Sequence, residues 1–167
     1  MATIEELLQE LEEEAQNTRR VLERVPDDRL DWRPHARSLT LGQLAMHVAT
    51  LPGALAELST RTTFDVGTEI PRPGAGSAAD LLATLDRSVA DARAVLGAMD
   101  DGALDTPWRM VSGAREVGAV PRGAFLRSVL FNHWYHHRGQ LTVYLRQTGA
   151  RVPAIYGDSA DERARQG

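Results

Sequence analysis

Phe131-Asn132-His133-Trp134-Tyr135-His136-His137-Arg138-Gly139-Gln140 carries three of the chain's five histidines in little more than one helical turn. Residues four apart on a helix lie on one face with Cβ atoms ~6 Å apart, so His133 and His137 point the same way and His136 diverges by about 100°. Such a pair on an apolar stripe reads either as two metal ligands or as two satisfied core groups. The segment is helical by its surroundings. Phe125, Leu126, Val129, Leu130, His133, His137, Leu141, Tyr144 and Leu145 share one side, Pro121 suits the first turn, and Gly149 closes the last.

Working outward, the rest of the chain supplies three more amphipathic helices. Thr3 and Glu6 have capping-box spacing ahead of a stripe of Leu7, Leu8, Leu11, Ala15, Thr18 and Leu22, which predicts a helix from about Thr3 to Arg24. Its acidic run Glu12-Glu13-Glu14 reads as a solvated face. Thr40 and Gln43 repeat the capping spacing before Leu41, Leu44, Ala45, Val48, Leu51 and Leu55, a second helix ending near Leu58. Ser77 caps a third, with Leu81, Leu82, Leu85, Val89, Ala92, Leu96 and Met99 on its buried face. The expectation is an all-α, four-helix bundle domain over 1–157, followed by a polar tail over 158–167 that frays. Two connections, Ser59–Gly76 and Ala103–Val120, exceed the usual ~4–6 residues, and the second has apolar anchors in Trp108, Met110 and Val111 that predict some short extended structure.

The second helix holds the third histidine of interest. His47 lies beside Leu44, Val48 and Leu51, which turns it toward the bundle interior. With His133 and His137 it makes three neutral nitrogen ligands from two helices, the arrangement of metal sites in bundle cores. Three protein ligands leave a coordination position open, which points to catalysis or substrate binding, since closed structural sites take four. Pro52 interrupts the same helix. It has no N–H for the carbonyl of Val48, so a kink and a free acceptor are expected one residue after His47.

Composition removes several classes of function. The chain has 167 residues, 43% hydrophobic and 25% charged, as in a globular domain. No apolar run approaches the ~18–20 residues of a membrane span, so no membrane partner is expected. The acidic start Met1-Ala2-Thr3-Ile4-Glu5-Glu6 lacks the features of a signal peptide and reads as cytoplasmic. The absence of cysteine excludes disulfides, thiolate ligands and cysteine nucleophiles, so any thiol chemistry must use an external thiol. A net charge of −4 offers no basic field for nucleic acid. Every cation is arginine, which excludes a Schiff-base lysine.

Two blocks of the chain resemble the DinB-like metal-binding proteins, also called the DinB/YfiT-like superfamily. Leu30-Asp31-Trp32-Arg33-Pro34 through Leu41-Gly42-Gln43-Leu44-Ala45-Met46-His47 is similar to the first histidine block of that family, and His133 to Gln140 to the second. Tyr144-Leu145-Arg146 and Val152-Pro153-Ala154-Ile155-Tyr156-Gly157 resemble its C-terminal continuation, with Asp158 standing where the family often has proline. The resemblance implies a four-helix bundle whose histidine triad binds a divalent metal, the triad falling on His47, His133 and His137. It also implies a homodimer, for which Trp32 and Trp134 are candidate anchors. Family members include transferases and isomerases that use mycothiol, bacillithiol or glutathione, so it implies a metal-dependent S-transferase joining a low-molecular-weight thiol to a small-molecule electrophilic substrate.

The residues themselves leave three readings open. A divalent cation on three imidazoles can lower the pKa of a bound water toward ~7 or deprotonate a coordinated thiol. Thiol transfer, metal-dependent hydrolysis and a non-catalytic metal-binding stress or sensor protein all fit. Imidazole and water suit zinc, nickel, iron and manganese to overlapping degrees. Among the other polar residues, Arg109 reads as solvated and His35 as a loop residue. His136 is a candidate proton carrier at the rim, and Arg138 and Gln140 are candidate supports of the ligand helix.

Overall fold

The computed structural model describes residues 3–68 and 71–163. Helix α1 (Ile4–Leu22) starts from a complete capping box, with Thr3 Oγ1 accepting from the Glu6 N–H and Glu6 accepting from the Thr3 N–H. Helix α2 (Leu41–Thr60) begins the same way at Thr40 and Gln43, and α3 (Ala78–Gly97) is capped by Ser77. Each signal satisfies backbone donors that the first helical turn leaves without partners. The fourth rod is composite: α4 (Arg122–Phe125), a π-helical segment (Leu126–Phe131), and α5 (Asn132–Gln147). Gly149 follows it at φ +81°, a conformation suited to glycine.

The architecture departs from the expected pure helical bundle in one respect. Three short strands, β1 (Thr63–Asp65), β2 (Pro107–Ser112) and β3 (Arg115–Pro121), form a sheet in the order β1-β2-β3. The β2–β3 pair is an antiparallel hairpin, and β1 adds to it in parallel, pairing Thr63 with Arg109. The two long connections therefore consolidate each other. Trp108 fastens the sheet to the helices. It is 2% exposed, its ring lies 4.0 Å from that of Phe125, and its Nε1–H donates to the Leu58 carbonyl at 3.3 Å. Arg109, on the opposite side of the strand, is exposed and pairs with Glu116.

Between the rods lies one core, including Leu7, Leu11, Leu44, Val48, Leu81, Leu85, Leu130, Trp134 and Leu141. Pro52 frees the Val48 carbonyl as expected, and the structure shows what takes it: the Trp134 indole donates to that oxygen at 3.0 Å. Trp134 is fully buried, so it is a core residue and cannot anchor a subunit interface. One residue further along α2, Gly53 donates its N–H to Ser88 Oγ at 2.8 Å, and Ser88 donates to the Thr50 carbonyl at 3.0 Å. A Cβ at Gly53 would stand 2.8 Å from the Ser88 carbonyl oxygen, so this crossing of α2 and α3 requires glycine. The proline-disturbed stretch is thus bonded from both sides.

The acidic run of α1 divides. Glu12 pairs with the exposed Arg93, but Glu14 is buried against the buried guanidinium of Arg138 at 2.5 Å and accepts from the Tyr156 hydroxyl at 2.7 Å. Arg138 also donates to the Glu14 carbonyl, Thr18 Oγ1 and Tyr156. The polar tail is engaged where it is described: Glu162 bridges Arg20 and Arg24, and Asp161 meets Arg146 and the Val152 N–H. Fraying of 164–167 is a matter outside the described residues. No helix among them is long and apolar enough to cross a membrane.

The indole bond gives a direct test. Trp134→Phe should destabilise the protein by about 1–3 kcal/mol, part of it from a buried carbonyl left without a donor. In a Pro52→Ala background the N–H restored at position 52 can return to the Val48 carbonyl, so the same substitution should cost less. Packing losses are common to both backgrounds and cancel in the double-mutant cycle. Strictly additive costs in urea unfolding would show that Trp134 does not serve the acceptor Pro52 frees.

Candidate metal centre

His47 precedes Val48 and His133 precedes Trp134, so the indole bond between those two neighbours sets the two histidines side by side. Their ring centroids are 5.4 Å apart, and His137, one turn along α5, lies 4.6 Å from each. One nitrogen from each of the three falls within 4.8 Å of the others. The residues that the spacing selected are therefore brought together. Among the described residues, theirs is the group of histidine and carboxylate side chains close enough to share an ion.

The first turn of α2 owes its position to the segment before it. Its Leu41 and Gly42 N–H groups donate to the carbonyls of Trp32 and Leu30, both at 2.8 Å. A Cβ at Gly42 would lie 3.2 Å from Leu30, so the close approach favours glycine. Trp32 packs edge-on to Tyr144 of α5 at 5.6 Å. The block from Leu30 to His47 is in this way a clamp that fixes the start of the helix carrying the first histidine.

All three imidazoles are half-buried, and all three titrate below the ordinary histidine range. His47 is lowered to about 4, first by burial, then by the charges of His137, His133 and Arg72. Burial also dominates at His133, opposed by a hydrogen bond to the Val129 carbonyl, and at His137, opposed by Gln140. Desolvation disfavours the protonated form, so the rings are neutral at neutral pH with lone pairs available. His137 Nδ1 and Gln140 Oε1 are 2.7 Å apart. With the amide oxygen accepting, Nδ1 carries the proton and Nε2 is left as the donor to a metal. The expected support by Gln140 is thereby present, whereas Arg138 ties α5 to α1.

This donor set fits a divalent ion. The rings are neutral nitrogen ligands, and two of them have partners for the other ring nitrogen, as metal-bound histidines usually do. His136 is exposed, its ring 5.0 Å from that of His137, at the rim and outside the group. His35 accepts from the Arg37 N–H in a turn. A concavity of about 540 Å³ between α2 and α3, lined in part by Thr50, Gly53, Glu57, Arg87 and Asp91, contains none of the histidines.

Two features had no local signal. A π-helical segment lies just before the histidines, and π segments are common at functional sites. Arg72 comes from the connection after β1, where nothing in the sequence tied it to the histidines.

The family model described as "DinB family" matches residues 1–166. The uncharacterized protein YrdA of Bacillus subtilis (strain 168) is 30% identical over 170 residues, covering 99% of this chain and 95% of its own. A crystal structure of a DinB-like protein from Bacillus cereus ATCC 10987 superposes with a TM-score of 0.74 at 28% identity, covering 92% of this chain and 98% of that one. YjoA, a DinB-like protein of Bacillus subtilis, has the same fold: TM-score 0.68, 20% identity, 89% of this chain and 95% of that one.

The lowered histidines make metal-free stability depend on pH with a definite sign. Between pH ~6.5 and about 4 the unfolded chain takes up a proton that folded His47 declines, so stability falls as pH falls through that window. His47→Gln should flatten that part of the urea-midpoint profile. An identical profile in the variant would contradict the burial of a neutral imidazole.

Proposed function

The chain belongs to the DinB family, and on that premise we propose that it holds one divalent metal ion through His47, His133 and His137 and activates a low-molecular-weight thiol for transfer to a small electrophilic molecule. The observation that carries this reading is the convergence of three neutral imidazoles from two helices, with no fourth histidine or carboxylate grouped with them among the described residues. Bound there, a divalent ion would supply Lewis acidity, promoting loss of a proton from a thiol or water at a remaining coordination position.

The protein's own contribution is placement. Trp134 and the clamp before α2 set the two helices, Gln140 and the Val129 carbonyl orient two of the rings, and burial keeps the imidazoles from taking protons. His136 stands at the rim, where it can pass the thiol proton to solvent. The sulfur forms the new bond to carbon, and the electron pair of the broken bond leaves with the displaced group or stays on the acceptor. Because the chain has no cysteine, the thiol comes from outside.

Metal analysis of the purified protein should find His133→Ala stripped of most of its metal and His136→Ala loaded like wild type. Loss on changing His136 with retention on changing His133 would refute the ligand assignment. The cobalt-substituted protein should change its spectrum on titration with glutathione, mycothiol or bacillithiol, because sulfur donates charge to the metal as water does not. No change with any of them, alongside thiol-independent turnover of a model ester, would favour hydrolysis.

A further inference from the structure

Two grooves run along α3, and the chain treats them differently. The groove facing α1, about 270 Å³, is bridged by two ion pairs, Arg19 with Asp86 and Arg93 with Glu12. The groove facing α2 is the concavity of about 540 Å³ lined in part by Thr50 and Glu57. A second hollow of about 500 Å³, reaching Thr60, Met99 and Arg122, continues it, since both are lined by Ala94 and Val95. Glu57, Arg87 and Asp91 bring charges of both signs into this groove, yet among the described residues no ion pair crosses it. Arg87 turns back to donate to Thr84 Oγ1 at 3.1 Å and does not pair with Asp91, one turn ahead on the same helix. Between the charges the lining is low in bulk, with Gly53 and Ala54 from α2 and Ala94 and Val95 from α3. Small side chains at a contact let another helix approach closely.

The outward stripe of α3 has a pattern of its own. Asp80, Thr84, Arg87, Asp91, Ala94 and Ala98 recur at alternating steps of four and three, the spacing by which a helix presents one seam to a partner helix, and all but Thr84 are exposed. The steps read the same in both directions. An antiparallel copy of α3, related by a two-fold axis between Arg87 and Asp91, would therefore set Arg87 against the partner's Asp91 and Asp91 against the partner's Arg87. In the same register Thr84 meets the partner's Ala94, and Asp80 meets the partner's Ala98. Glu57 lines the groove from α2 and adds a second carboxylate to the surface that receives the guanidinium.

We propose that the α2–α3 groove is the interface between two copies of this chain, with the two-fold axis crossing α3 between Arg87 and Asp91. An isologous contact has to be complementary to itself. Opposite charges left open at positions that a two-fold axis exchanges meet that condition, and a partner of one charge sign would satisfy only one of them. The crossed ion pairs fix partner and register, while the small apolar residues between them bury the central area. None of these residues belongs to the histidine group, so the inference stands apart from the metal.

Sedimentation velocity on the full chain at micromolar concentration should show a dimer. Arg87→Asp and Asp91→Arg each place like charges face to face at both crossed pairs, so each variant alone should raise the dissociation constant at least tenfold. Mixed in equal amounts, the two should re-form a dimer of near wild-type affinity, because only the mixed dimer restores opposite charges at both pairs. The double variant R87D/D91R should dimerise with itself for the same reason. Circular dichroism shows whether each variant keeps wild-type helicity. A wild type that stays monomeric would overturn the proposal and leave the groove to a different partner. A dimer that both single variants leave intact would also overturn it, as would helical single variants that stay monomeric when mixed.

Discussion

A single hydrogen bond, from the indole of Trp134 to the carbonyl of Val48, joins the two helices that carry the histidines. It exists because Pro52 removes the donor that carbonyl would otherwise have, and because a buried acceptor without a donor is costly. Trp134 answers a defect in α2 while its neighbour His133 comes to rest beside His47. The proline that breaks the regularity of α2 and the indole that answers it together set the register between the rods. A slip of one residue along α5 would turn His133 and His137 away by about 100° and strand the carbonyl at once.

A second constraint fixes the opposite side of α5. Arg138 is 3% exposed and is surrounded by Glu14, Thr18 and Tyr156, so its charge is balanced and its donors are used. Breaking such a buried pair from one side typically costs about 3–5 kcal/mol, because the remaining charge has lost its partner. Tyr135, two residues from His133, donates to Glu10, which also pairs with Arg127, and so extends the bonding of this face to α1. Among the described residues no ion pair involves the three histidines; Arg138 and Tyr135 bond the helix to α1, and Arg146 pairs with Asp161 of the tail. Burial leaves the imidazoles neutral and open to a cation.

What was legible in the sequence was what short-range chemistry decides. Thr3, Thr40 and Ser77 announced their helices because a cap acts within one turn. His133 and His137 announced a shared face because four residues make one turn. The freed carbonyl of Val48 followed from Pro52 alone, but its partner lies 86 residues away and only packing could name it. The same limit hid the sheet's pairing: extended structure was legible around Trp108, Met110 and Val111, but β1 lies more than forty residues before β2 and nothing local joined them. Glu14 departs from the solvated face for a related reason, since an acidic run looks solvated until a buried arginine from another helix meets one of its members. The π segment and Arg72 depend on tertiary placement as well, which explains why the triad was visible while much of its surroundings was not.

The central claim is that the α2–α5 junction gathers three histidines into one open metal site. Anomalous X-ray diffraction at the metal edge, on crystals of the zinc-loaded protein, tests it most directly. The account predicts one ion per chain, bonded to imidazole nitrogens of His47, His133 and His137, with no fourth protein ligand. An ion held by His136, one closed by a protein carboxylate, or density for zinc only elsewhere on the chain would contradict it.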